Sequence, residues 1–214
     1  MLFLSYLCEE RSFKLDKREW PFFYSFYKKR ASTKWRGNLL IAILFAMLSA
    51  LLSWQLITDE KPLDSIEGIN QDTLLVLTRT FSTIMGAFSA IISILFIFIL
   101  SLIVTKIFKT EPRVKSLFSG SISLVLVINI VTLIVVIIQF FFRLNPEKYN
   151  ILSLNIFNAG NEILGAFDFK LIIQSYLFML LLHATGKLSL NYAAIISIVL
   201  FIFLLTLNLI GALI

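Results

Sequence analysis

Long apolar stretches separated by short polar segments dominate the pattern of this chain. Five such stretches run approximately through residues 39–58, 81–106, 117–142, 168–186 and 191–214. Each has about the 20 apolar residues that a helix needs to cross the hydrocarbon core of a bilayer, which is about 30 Å thick. The pattern therefore predicts an all-α, polytopic membrane protein with five transmembrane helices.

Composition agrees with this prediction and narrows the possible functions. Hydrophobic residues make up 58% of the chain, which is more apolar surface than a soluble domain of this size can bury. The single cysteine, Cys8, and the single histidine, His183, cannot supply a disulfide or a metal site with several Cys or His ligands. The sequence motifs of zinc metalloproteases, P-loop proteins and α/β-hydrolases do not occur in it. We therefore expect no enzymatic activity, no cofactor and no metal, and we name no catalytic residue.

Residues 1–38 form a basic and aromatic segment that precedes the first apolar stretch. Aromatic side chains favour the headgroup level of a bilayer, and Lys and Arg favour an anionic inner leaflet. The segment is expected to be an amphipathic helix on the cytoplasmic face, where it either anchors the topology or docks a cytosolic partner or an acidic lipid. The residues proposed for this anchor are Trp20, Phe23, Tyr27, Lys28, Lys29 and Arg30.

The charges of the loops predict the orientation of the chain. The loop at 59–72 has five acidic side chains and one basic one, whereas the loop at 106–115 has four basic side chains and one acidic one. Because Lys and Arg accumulate on the cytoplasmic side, the N-terminus and the loops near residues 110 and 187 are expected inside. The loops near residues 65 and 155 and the C-terminus are expected outside. This is the topology of a multi-pass cell-membrane protein with its N-terminus in the cytoplasm.

The segment 144–167 is semi-apolar but is interrupted by polar residues. We expect it to lie in the outer interface and to be partly helical. If it enters the bilayer instead, the number of crossings changes. The interrupting residues are Asn150, Asn155, Asn158, Asn161 and Glu162.

Small residues recur at every fourth position in the first two apolar stretches, and such spacing forms one flat stripe on a helix. In lipid, a stripe of this kind lets two helix backbones approach closely. We predict that these stripes pack helices together, either within the chain or between two copies. The residues are Ala42, Ala46 and Ala50 in the first stretch and Ser82, Gly86 and Ala90 in the second.

Polar residues within the later stretches are candidates for an intramembrane polar patch. The patch would consist of Asn129, Gln174, Ser175 and Asn208. An amide buried in hydrocarbon needs a hydrogen-bond partner, so these groups are expected to face the interior of the helix bundle. They would either join helices by hydrogen bonds or line a pathway or ligand pocket.

Residues around the fourth stretch carry a resemblance to a known family. The stretch opens with Leu-Gly-Ala-Phe-Asp-Phe-Lys-Leu-Ile at 164–172 and closes with Leu-His-Ala-Thr-Gly-Lys-Leu-Ser at 182–189, and the third stretch begins with Leu-Phe-Ser-Gly-Ser at 117–121. With the five-span plan, this resembles the bacterial branch of the Yip1 family. The resemblance implies a non-enzymatic membrane scaffold. Eukaryotic members are Golgi membrane proteins that contact Rab GTPases, and some bacterial members accompany ABC exporters.

Together these features favour an integral membrane accessory protein that assists an ABC exporter, membrane trafficking or stress resistance. Its expected partners are membrane lipids and either another membrane protein or a second copy of the chain, and no nucleic acid is expected. The alternative is a small transporter or channel for a lipid or an amphipathic peptide, with the polar patch along its path.

Overall fold

The structure is a computed structural model, and it describes residues 35–60, 70–146 and 148–213. Within these ranges the chain is helical, and its one β-bridge is an isolated pair, Ser153 with Asp168. The all-α prediction is confirmed. A short 3-10 helix, Leu154–Phe157, lies between the third and fourth α-helices. The α-helices are α1 (Arg36–Glu60), α2 (Gln71–Ile107), α3 (Val114–Phe142), α4 (Glu162–Ala166), α5 (Phe169–Ala184) and α6 (Leu190–Gly211).

Four of these helices, α1, α2, α3 and α6, are long and apolar enough to cross a membrane. They correspond to four of the five predicted spans, but α2 begins at Gln71 and not near residue 81. The early turns escaped a count of apolar residues because Thr78, Arg79 and Thr80 interrupt them. The threonine hydroxyls donate to carbonyls one turn back, Thr78 to Leu74 O and Thr80 to Val76 O, both at 2.8 Å. Polar residues of this kind therefore fit within a continuous helix.

The remaining predicted span, 168–186, contains α5, which has 16 residues. At 1.5 Å per residue α5 is about 24 Å long, which is less than the roughly 30 Å of a bilayer core. Its start is fixed by Asp168, whose side chain accepts a 2.7 Å hydrogen bond from the backbone N–H of Lys170. By length and composition, four helices in the described residues could span a membrane, and α5 is a shorter apolar helix.

Helix α3 occupies the centre of the bundle and packs against α1, α2 and α5. Helix α1 also packs against α2, and α5 also packs against α6. The buried apolar cluster draws side chains from α2, α3, α5 and α6, including Ile97, Ile122, Phe178 and Leu200. In the part of the chain described, α6 packs against α5 and α4 but not against α3, so α6 lies at the edge of the bundle.

The two ends of the bundle differ in composition. At one end the start of α1 meets α3, since the rings of Trp35 and Phe118 stack edge to face with centroids 5.3 Å apart. The loops 108–113 and 185–189 lie at the same end, and we call these parts together the basic end. Its cationic residues are Arg36, Lys106, Lys109, Arg113, Lys115 and Lys187. The opposite end is covered by residues 144–146 and 148–168, which we call the asparagine cap.

Candidate functional site

The small-residue stripes of the first two spans lie against each other in the contact between α1 and α2. A Cβ atom placed on Gly86 would lie 2.8 Å from both the carbonyl oxygen of Ala46 and the Cβ of Ala50. Nothing larger than glycine fits there without moving a backbone. Ala42 and Ala90 are buried and Ser82 is half-buried. This contact is made within one chain.

Asn129, the first member of the predicted polar patch, joins two helices. Its Nδ2 donates a hydrogen bond of 2.9 Å to the carbonyl oxygen of Ala42. Asn129 lies midway along α3, and Ala42 is in the second turn of α1. The half-buried amide is therefore paired with a backbone group of a neighbouring helix, which meets the requirement for a partner in hydrocarbon.

The other members of the patch lie on α5 and α6. Gln174 is half-buried on α5, and Ser175 is buried beside it. Asn208 is exposed in the last turn of α6, which does not pack against α3 within the described residues. The structure therefore does not bring Asn129 and Asn208 together. A sequence gives the depth of a residue within its own helix, but it does not say which helices are neighbours.

The proposed N-terminal anchor precedes Trp35, the first described residue. The residues Trp20, Phe23, Tyr27, Lys28, Lys29 and Arg30 lie outside the described residues. Their role stays a prediction.

A second close helix crossing, at the basic end, was missed by sequence reasoning. A Cβ atom on Gly120 of α3 would overlap the side chain of Leu181 on α5 and lie 3.4 Å from Thr185. A Cβ atom on Gly186 would lie 3.1 Å from Thr105 of α2 and 2.5 Å from the carbonyl oxygen of Leu182. The run Ser-Gly-Ser at 119–121 was a visible signal in the sequence, but its partners on α5 were not.

Hydroxyl groups surround this crossing and are mostly bonded to their own helices. Ser101 donates to Ile97 O at 2.6 Å, Thr105 to Ser101 O at 2.9 Å, and Thr185 to Leu181 O at 2.6 Å. A hydroxyl that bonds one turn back can be buried among apolar side chains because its donor is satisfied. Three buried hydroxyls have no partner in the described part of the chain, and they belong to Ser119, Ser175 and Ser197.

The asparagine cap is organised by side chains that bond to an irregular backbone. Asn155 Oδ1 accepts from the N–H of Asn150 at 2.9 Å, and Asn150 Nδ2 donates to Asp168 Oδ2 at 3.3 Å. Gln139, near the end of α3, is buried and donates to the carbonyl oxygen of Tyr149 at 2.6 Å. The cap contains the 3-10 helix and α4, and the hydrogen bond from Gln139 to Tyr149 connects it to the bundle.

The single histidine is part of the turn between α5 and α6. His183 Nδ1 lies 2.8 Å from the carbonyl oxygen of Leu188 and is within hydrogen-bond distance of it. Among the described residues, no group of three or more His, Cys, Asp or Glu side chains is placed to hold a metal ion. The contact of His183 with the Leu188 carbonyl oxygen lies within the turn that joins α5 to α6.

Comparison with known proteins does not assign the chain to a family. No protein-family model, curated protein or solved structure matches it.

Proposed function

We propose that this chain is a non-enzymatic, multi-pass membrane accessory protein that binds another membrane protein or a second copy of itself. The observation that supports this most directly is the use made of its intramembrane polar groups. Asn129 bonds to the backbone of α1, and Ser101 and Thr105 bond to their own helix. The Asn129 bond joins two helices, and the hydroxyl donors of Ser101 and Thr105 are already used within their own helix, so these donors are not available to a substrate.

The resemblance to the Yip1 family favours the same role. It extends the proposal to assistance of an ABC exporter, or to membrane trafficking or stress resistance. The basic and aromatic N-terminal segment would supply a contact with a cytosolic partner or with the inner leaflet.

We further propose five crossings of the cell membrane, with the N-terminus in the cytoplasm and the C-terminus outside. In this topology α5 and the asparagine cap together take up the thickness of the bilayer. Two features support it. The cap joins α3 near its last turn through Gln139 and Tyr149, and its internal hydrogen bonds would let non-helical backbone lie at membrane depth. A reporter fused after Ile214 should behave as extracytoplasmic, and a cytoplasmic signal would refute five crossings.

Co-purification from a mild detergent tests the accessory role. We expect the full-length protein to retain a specific membrane protein, or to purify as an oligomer, when a multi-pass protein of similar size purified in parallel does not. A strictly monomeric protein without any retained partner, in several detergents, would contradict the proposal.

A small transporter or channel for a lipid or amphipathic peptide is the alternative. The unpartnered hydroxyls of Ser119, Ser175 and Ser197 favour it, because a buried hydroxyl without a partner is unfavourable unless water or a ligand approaches it. In a Cys8→Ser background, cysteines at positions 129, 174, 175 and 208 would react with a soluble thiol reagent if they line a path. Leu177→Cys is the control for a buried position. Reaction of the cysteines at 129 and 175, with no reaction at 177, would favour the path. If neither the cysteine at 129 nor the one at 175 reacts with the reagent, the path is excluded.

A further inference from the structure

The basic end brings together cations from two separate loops. Lys187 Nζ donates to the backbone carbonyl oxygen of Glu111 at 2.9 Å, so the loops 185–189 and 108–113 lie against each other. Lys109 and Arg113 come from the first loop, and all three cationic side chains are exposed. Glu111 is the one acidic residue in the two loops. The joined surface is therefore strongly positive.

Two of these cations occupy positions that favour glycine. Lys109 and Lys187 have φ angles of 51° and 59°, in the left-handed region that L-residues seldom adopt. Each follows a helix, and a cation there is favoured by the helix dipole. Arg143, at the opposite end of the bundle, follows α3 in the same conformation, with a φ angle of 51°. Arg143 thus provides a reference for a basic residue that caps a helix away from the basic end.

Exposed apolar side chains accompany the cations. Ile107 is 69% exposed and Val114 is 57% exposed. The rings of Phe108 and Tyr192 lie with centroids 5.2 Å apart beside the two loops. Cations interleaved with apolar and aromatic side chains at the ends of spanning helices suit the headgroup level of a bilayer, where charges meet phosphates and apolar groups meet acyl chains. A water-soluble acidic partner would leave these apolar side chains without a matching surface.

We propose that the basic end is a binding surface for the phosphate headgroups of anionic phospholipids, with Lys109 and Lys187 as its main contacts. In this arrangement one of the three N–H donors of Lys187 holds Glu111, and the others face the headgroup. The proposal goes beyond the accessory role, because it requires only the membrane and no protein partner.

Lipid retention by the full-length protein tests this surface. The protein is reconstituted in vesicles of equal parts phosphatidylglycerol and phosphatidylcholine, extracted in mild detergent, and the two retained lipids are measured by mass spectrometry. We expect the native protein to retain phosphatidylglycerol preferentially. The double variant Lys109→Gly/Lys187→Gly should lower that preference by about fivefold or more, and added salt should lower it more in the native protein than in the double variant.

Arg143→Gly is the matched control, because it also replaces a left-handed basic residue after a helix with glycine. It should leave the lipid preference unchanged. An equal loss in Arg143→Gly, or an unchanged preference in the double variant, would overturn the proposal. Competition by millimolar inorganic phosphate would point to a site for free phosphate and would also overturn it. If the glycine variant does not fold, judged by thermal unfolding in detergent, Lys109→Gln/Lys187→Gln answers the same question without changing backbone preference.

Discussion

The basic end and the asparagine cap bury polar groups in opposite ways. At the basic end, helices α2, α3 and α5 approach closely at Gly120 and Gly186, and most of the hydroxyls around them bond within their own helices. In the cap the backbone is irregular, and Asn150 and Asn155 hold it by bonds between side chain and main chain. One end depends on the fit between helices, and the other depends on specific hydrogen bonds.

The difference follows from what each backbone can do for itself. A helix satisfies its internal N–H and C=O groups, so two helices need only complementary shapes to pack. A segment such as 144–168 leaves many of these groups without a regular partner, and near a bilayer they must find another. Asparagine has both a donor and an acceptor on a short side chain, which suits this role. Substitutions at the two ends should therefore have different effects.

The largest effect is expected from a bulky residue at the helix crossing. Gly120→Leu would place a side chain against Leu181 and Thr185, which are themselves fully buried. Because neither neighbour can move into open space, overpacking should lower the free energy of unfolding by about 3 kcal/mol. Reversible unfolding in mixed micelles measures this loss.

Gly37→Leu is the matched control for this substitution. Among the described residues, nothing lies within 4 Å of the Cβ position at Gly37 in the first turn of α1. Its unfolding free energy should be unchanged or slightly higher, since leucine favours a helix more than glycine does. Equal losses in the two variants would show that the close approach at Gly120 is not what holds the basic end.

The same contrast explains what the sequence could predict. Apolar length predicted five spans, four of which correspond to helices long and apolar enough to cross a membrane, and the spacing of small residues predicted close helix packing of the kind found at Gly86. Apolar length and small-residue spacing are both properties of a single helix, so they can be recognised in the sequence of that helix alone. The beginning of α2 was misplaced because Thr78 and Arg79 look like loop residues until their place in a helix is known.

Contacts between distant parts of the chain could not be predicted from the sequence in the same way. The pairing of Gly120 with Leu181 and the bond from Asn129 to Ala42 depend on which helices are neighbours, and no pattern within one helix carries that information. The proposed patch grouped Asn129 with Asn208 because both are amides in apolar stretches. Their helices do not pack together within the described residues, so chemical similarity was an insufficient guide.

A smaller and more local effect is expected where the cap joins the bundle. Gln139→Leu removes the donor to the carbonyl oxygen of Tyr149. Loss of the donor to this part-buried carbonyl should lower stability by about 1.5 kcal/mol. The loss should appear first as faster amide hydrogen exchange in residues 148–155, with the crossing at Gly120 unaffected. Asn158→Leu, at an exposed position of the same cap, is the control and should leave that exchange rate unchanged. If Gln139→Leu unfolds globally without first showing faster exchange in residues 148–155, the effect is not local to the cap and the prediction is wrong.

The smallest effect is expected midway between the two ends, at Asn129. Asn129→Leu removes the bond to the Ala42 carbonyl, but in an α-helix that carbonyl also accepts from residue 46, so it keeps a partner. We expect a loss of about 1 kcal/mol in unfolding free energy, and a smaller one for Asn208→Leu, whose side chain is exposed. Measuring stability in detergent together with the cellular phenotype separates the two roles of Asn129. If Asn129 is a packing residue, the variant protein is less stable, and its function falls only in proportion to the loss of folded protein. If Asn129→Leu keeps its stability yet abolishes the phenotype, Asn129 contacts a ligand. The shape-based packing seen at the basic end would then not extend to the middle of the bundle.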